Sequence, residues 1–105
     1  MDKLKETLEE LKAVDITEID LTGRSPMCDC FLIATVVSSP QTKAIITSLL
    51  KTAKNLKIKN RKVEGDFTSR WVLLDFGDII IHLMEKEERI YYNLEEIWKD
   101  LEKPE

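Results

Sequence analysis

At 105 residues the chain is one domain's worth, and 43% hydrophobic content is enough for a core, while 34% charged residues indicate a soluble protein. The net charge of −4 is unevenly spread: residues 1–63 hold eleven Lys and Arg against eight Asp and Glu, and residues 64–105 hold five against twelve. No apolar run approaches the ~20 residues of a membrane helix, and Asp2, Glu6, Glu9 and Glu10 make the N-terminus unlike a targeting presequence.

The expected location is therefore the cytoplasm, although a processed organellar protein would read the same. Residues 2–13 place Leu4, Leu8 and Leu11 on one helical stripe. Ile16 to Leu21 alternates as a first strand, and Thr22-Gly23-Arg24-Ser25-Pro26 is turn material. Cys30 to Val37 is a continuous apolar run, predicted as a central strand buried on both faces. Cys28 and Cys30, two residues apart, point the same way on such a strand and cannot close an unstrained disulfide, so both read as reduced and buried.

Ser39-Pro40 marks a helix start, with Ser39 as N-cap and Pro40 in the first helical position. Ile45, Ile46, Leu49, Leu50, Ala53 and Leu56 continue at helical spacing, and a third strand follows near Ile58 to Val63, giving a βαβ unit. From Lys43 to Lys62 there are seven basic residues and no acid. After Glu64-Gly65-Asp66 comes the stretch Trp71 to Met84, WVLLDFGDIIIHLM. Two apolar runs around Phe76-Gly77-Asp78 predict a β-hairpin. A two-residue loop at Phe76-Gly77 or at Gly77-Asp78 sorts the side chains alike. Val72, Leu74, Ile79, Ile81 and Leu83 share an apolar face that should lie on helices. Trp71, Leu73, Asp75, Ile80, His82 and Met84 share a mixed face suited to docking a partner. Glu85 to Arg89 is a charged stretch, Asn93 with Glu96 reads as a capping box, and Leu94, Ile97, Trp98 and Leu101 line a final helix. The expected fold is α/β: a mixed, mostly parallel-cored sheet of about five strands flanked by helices, one domain over residues 1–105 with 102–105 frayed.

Catalytic chemistry is missing. The chain has only Gly23, Gly65 and Gly77, so no glycine-rich phosphate loop exists. His82 is the sole imidazole, and Asp75 and Asp78 at a hairpin end read as turn formers rather than metal ligands. No catalytic residues, metal or cofactor are assigned. The acidic C-terminal part should seek a basic partner, and the basic run lacks the interleaved aromatics of a nucleic-acid stacking platform.

WVLLDFGDIIIHLM, preceded by Glu64-Gly65 and followed by Glu87, Arg89, Tyr92, Leu94, Glu95 and Trp98, resembles the Iojap/YbeB family of ribosomal silencing factors (RsfS). Asp29-Cys30-Phe31-Leu32-Ile33-Ala34-Thr35 is similar to that family's D-[YF]-F-V-I-A-T block, and Ser38, Gln41 and Ala44-Ile45 fall in register. The resemblance runs over roughly residues 10–100. The family usually has an aromatic at Cys30, Gly at Val36 and Arg at Pro40; Cys30 leaves a smaller core side chain for neighbours to fill, while Val36 and Pro40 touch the strand-to-helix turn and not the hairpin.

The resemblance implies a nucleotidyltransferase-like fold without catalytic carboxylates, and a protein that is not an enzyme. It implies binding to the large ribosomal subunit through its fourteenth protein, which blocks joining of the small subunit and represses translation. The binding surface maps onto the hairpin, so Trp71, Leu73, Asp75, Asp78, Ile80 and His82 are the expected contact residues. The resemblance also points to a homodimer when free. No membrane and no sequence-specific nucleic acid is expected. The alternatives are a large-subunit assembly factor, or a nucleotide- or RNA-binding module of the same fold.

Overall fold

Gly77 closes the hairpin that orders the sheet. Its φ is +85°, whereas Asp78 stays at negative φ, and the Phe76 N–H donates to the Ile79 carbonyl at 2.9 Å. A glycine in the first central position of a two-residue loop matches the twist of the strands it joins. The loop is therefore Gly77-Asp78, and the register follows: Trp71 opposite Met84, Val72 opposite Leu83, Leu73 opposite His82, Leu74 opposite Ile81 and Asp75 opposite Ile80.

The computed structural model describes residues 2–23, 26 and 28–96. In chain order these form α1 (Asp2–Glu10), β1 (Val14–Asp20), β2 (Cys30–Thr35), α2 (Ser39–Asn55), β3 (Lys62–Glu64), β4 (Trp71–Asp75), β5 (Ile79–Met84) and α3 (Lys86–Tyr92). The five strands form one mixed sheet in the order β1-β2-β5-β4-β3. The expected mostly parallel core is corrected: only β2 and β5 pair in parallel, and the other three pairs are antiparallel. A parallel pair needs a long connection, and here it contains α2, β3 and β4.

All six residues of β2 are buried, as its unbroken apolar run requires. That run stops short of Val37, which is 76% exposed, because the strand ends at Thr35 and the Val37 N–H donates to Gln41 Oε1 at 2.7 Å. The helix start shifts by one residue: Ser38, not Ser39, is the N-cap, its hydroxyl accepting from the Gln41 N–H, and Pro40 sits in the first turn, where a missing N–H leaves no helix bond unmade. The third strand is three residues long and begins at Lys62, because Leu56-Lys57 ends the helix with Lys57 at φ +61°.

Leu4 and Leu8 of α1 and Ile45, Leu49 and Ala53 of α2 cover one face of the sheet, packing on Leu32, Ala34, Val72, Leu74, Ile81 and Leu83. This is the apolar face expected from alternation. On the other face a second cluster joins Ile19, Leu21, Cys28, Phe31, Ile33 and Met84. Cys30 alternates with Phe31 and so faces the helices, while Cys28 precedes the strand and joins the second cluster. The two thiols therefore do not point the same way; both are free and buried.

The largest departure from expectation follows Met84. Lys86–Tyr92 is a helix, with Glu87 and Glu88 in its first turn and Arg89 in its last, charges that suit the helix dipole. Asn93 ends this helix in the left-handed conformation (φ 47°, ψ 53°), a backbone state Asn tolerates better than most residues, and helix resumes directly after it at Leu94 to Glu96, where the sequence predicts the final helix to start. Ile97, Trp98, Leu101 and the tail at 102–105 lie outside the described residues, as do Arg24 and Ser25 of the expected turn.

Gly65 holds the loop before β4 close to the sheet. Its φ is +87°, and an added Cβ would lie 3.0 Å from Ser69 Oγ and 3.2 Å from the Trp71 carbonyl oxygen. Gly65→Ala should therefore cost about 1–3 kcal/mol in denaturant unfolding. Gly23→Ala, where nothing lies within 4 Å, should cost less.

Candidate functional site

The second face of the sheet is closed at one end and open at the other. Near β1 and β2 the second cluster fills it. Toward β4 the cover thins: Trp71, Leu73, Asp75 and Ile80 are all half-buried, and Asp78 at the turn is exposed. Alternation along β4 aims Trp71, Leu73 and Asp75 from one side, and the register sets Ile80 beside Asp75. Leu73 belongs to neither core cluster. With Glu64, Gly65 and Trp71 it lines an open hollow of about 330 Å³.

The sixth expected contact residue is placed differently. His82 is only 4% exposed, so it cannot meet a partner directly. It sits on β5 between β2 and β4, with the Phe31 ring edge-on at 4.6 Å and the Trp71 ring at 5.8 Å. Trp71 Nε1–H donates to His82 Nδ1 at 3.1 Å. An accepting Nδ1 puts the imidazole proton on Nε2, which is buried and has no hydrogen-bond partner among the described residues. Burial pushes the His82 pKa down to about 4, so the ring is neutral near pH 7. Its role is to hold the indole.

Tyr92 packs on the outer side of Trp71, ring centroids 4.9 Å apart, and Tyr91 meets Tyr92 edge-on at 5.0 Å. The indole is thus held by a hydrogen bond to an imidazole and by ring contact with a phenol. Asp75 accepts the Gly77 N–H on Oδ1 at 2.9 Å, so its carboxylate braces the turn and still lies on the half-open face. No group of three or more His, Cys, Asp or Glu among the described residues could hold a metal. Desolvation raises the thiol pKa of both Cys28 and Cys30, the latter to about 11, which leaves them poor nucleophiles.

Two features were not expected from the residues alone. One is Tyr92 beside Trp71. The other is the polar cluster of Arg89, Glu95, Thr17 and Thr35, which borders a separate open pocket of about 610 Å³. Their signal lay in Arg89, Tyr92, Leu94 and Glu95, which carry part of the family resemblance but show no periodic pattern. The basic residues from Lys43 to Lys62 are all exposed, and α2, which carries the first three, lies across the sheet from this face.

The model of the family described as "Ribosomal silencing factor during starvation" matches residues 1–105. The chain belongs to the ribosomal silencing factor family. Ribosomal silencing factor RsfS of Halalkalibacterium halodurans is 39% identical over 93 residues, spanning 89% of this chain and 80% of that protein. A mouse protein named for mitochondrial assembly of the ribosomal large subunit is 34% identical over 93% of this chain and 44% of its own length. A crystal structure of a Chromobacterium violaceum protein superposes with a TM-score of 0.84 at 32% identity, over 97% of this chain and 84% of that one. The family is regulatory and not enzymatic. No described helix is long and apolar enough to cross a membrane.

The buried neutral imidazole makes stability depend on pH. The folded His82 pKa of about 4 lies below the usual 6.5, so on acidification the unfolded chain takes up a proton that the folded chain refuses. Unfolding free energy should fall by about 2 kcal/mol between pH 7 and pH 5, and the His82 contribution should level off below about pH 4. His82 is the only histidine, so His82→Gln should flatten this slope in denaturant titrations at the two pH values.

Proposed function

We propose that the protein represses translation by docking its hairpin face on the large ribosomal subunit, through the fourteenth protein of that subunit, and so excluding the small subunit. The observation that carries this reading is the half-open face of β4. Trp71 is braced from two sides, Leu73 is packed in neither cluster, and Asp75 lies beside them. A rigid aromatic anchor with apolar neighbours is what an interface centre uses. A carboxylate next to it selects a basic partner and sets the register, as the acid excess over residues 64–105 also favours. The large subunit as target is supported by the mouse relative's name. The contact set is Trp71, Leu73, Asp75, Asp78 and Ile80, with His82 supporting from beneath. The likeness to bacterial silencing factors favours the cytoplasm as the place of this action.

The same mouse name favours a second reading, in which docking serves large-subunit assembly. Both readings use one face and differ in when it is occupied. When no subunit is present, the exposed apolar part of that face is covered by a second copy, since symmetric pairing is the commonest way to bury such a patch. Light scattering should then give a dimer mass for the free protein; a monomer mass at high concentration rejects the pairing.

Two substitutions test docking without disturbing the braced indole. Leu73→Glu puts a charge on the half-open face, and Asp75→Asn keeps an acceptor for the Gly77 N–H while removing the charge. Leu73→Glu should weaken large-subunit binding by at least about 30-fold and restore joined ribosomes in sedimentation profiles. Asp75→Asn should weaken it by about tenfold, with a loss of salt dependence. Circular dichroism should be unchanged in both. A folded Leu73→Glu protein that binds the large subunit at full affinity excludes the hairpin face.

A further inference from the structure

Arg89 is paired through all three nitrogens of its guanidinium. Its side chain is 10% exposed. Nε donates to Glu95 Oε1 at 2.8 Å, Nη1 to Thr35 Oγ1 at 2.9 Å and Nη2 to Thr17 Oγ1 at 2.9 Å. Thr17 in turn donates to Glu95 Oε2 at 3.3 Å. The hydrogen bond from Arg89 holds the Glu95 carboxyl below the usual range, against the partial burial that would raise it. One guanidinium thus joins β1, β2, α3 and the helical segment after Asn93. The cluster is internally neutralised, which argues against an anion site.

The segment enclosed by this cluster is Ile90 to Leu94. It contains the two residues that close the open face: Tyr92 against the Trp71 ring and Leu94 against the second cluster. Helix α3 buries none of its own residues, and Ile90 and Tyr91 are largely exposed. Apolar burial therefore does little to dock this arm. Left-handed Asn93 separates α3 from the helical turn at Leu94 to Glu96, and the Arg89–Glu95 pair spans that break.

We infer that Arg89, with Glu95, Thr17 and Thr35, forms a latch that positions the arm so that Tyr92 braces Trp71. Arg89 is a positioning residue: it lies away from the contact set and acts through Tyr92. The part of this inference that concerns binding rests on the docking reading above; the part that concerns Trp71 does not. A Lys could not replace it, since a point charge lacks the planar fork that reaches three acceptors at once. If loss of the latch leaves the arm docked a tenth of the time, affinity falls about tenfold without the removal of any contact.

The test uses the full chain carrying Trp98→Phe, so that Trp71 is the only indole, and compares Arg89→Met, Tyr92→Ala and the double variant. Acrylamide quenching of Trp71 fluorescence is measured on the free protein, and large-subunit affinity by co-sedimentation. Arg89→Met should raise Trp71 quenching to the level of Tyr92→Ala and weaken binding about tenfold, with far-ultraviolet circular dichroism retained. The double variant should be no worse than either single one, because both remove the same brace. Arg89→Lys should not rescue. Wild-type quenching in Arg89→Met, or losses that multiply in the double variant, overturns the latch. Should Arg89→Met fail to fold, Glu95→Gln and Thr35→Val, each removing part of the cluster, take its place with the same expected direction. Normal binding by Leu73→Glu would instead overturn the docking reading and leave the quenching result standing.

Discussion

The register of β4 against β5 is the constraint from which the rest of the molecule follows. Side chains alternate with a period of two, so a slip by one residue would exchange the two faces of the strand. In the observed register Val72, Leu74, Ile81 and Leu83 are all fully buried under the helices, and Trp71, Leu73 and Asp75 are not. Burying a Leu or Ile side chain contributes roughly 1.5–3 kcal/mol. A slip would put several such residues in water and a carboxylate under α2. The two-residue turn at Gly77 and the hydrophobic pattern thus enforce the same answer, and the candidate face is a by-product of the core's demand.

The pairing of Trp71 with His82 illustrates how the candidate face is held in place. A neutral hydrogen bond contributes about 1 kcal/mol, and an unpaired buried polar atom costs about 1–3 kcal/mol. His82 makes one such bond and leaves Nε2 without a partner among the described residues. The imidazole is therefore no gain in stability over an apolar residue of its size. What it supplies is an acceptor at a fixed position on a central strand, which an apolar side chain could not. Tyr92 adds the second contact from outside the sheet, and the Arg89 cluster ties that contact to β1 and β2. The Trp71 ring is thereby positioned within the free protein, which under the docking proposal would leave little side-chain entropy to be lost on binding.

Charge is distributed to match. The helical layer carries lysines on the side away from the hairpin face, while the acid excess lies in the chain from residue 64 onward. Under the docking proposal, this distribution would present the anchor to a basic protein surface and leave the cationic side outward.

The sequence by itself determined the strands, their faces and the hairpin. Unbroken apolar runs, period-two alternation and a glycine turn act locally, and each is decided by residues within a few positions of one another. The same local logic identified Trp71, Leu73 and Asp75 as sharing a side, and the helix of residues 39–55 to within one residue of its cap. Only the tertiary structure decided how exposed each of those side chains is. His82 reads as part of an open face until β2 brings Phe31 beside it. The strand order, with one parallel pair, depends on which edges meet after α2, and no local pattern encodes that. Asn93 carries a cap signal for the helix that follows it at Leu94, but that the charged stretch before it is also a helix, which the same residue ends, shows only in the structure. Arg89 met Thr17 and Thr35 across 72 and 54 residues of sequence. Such a cluster leaves no periodicity behind, because its members lie on separate elements and are brought together only by the packing of the sheet.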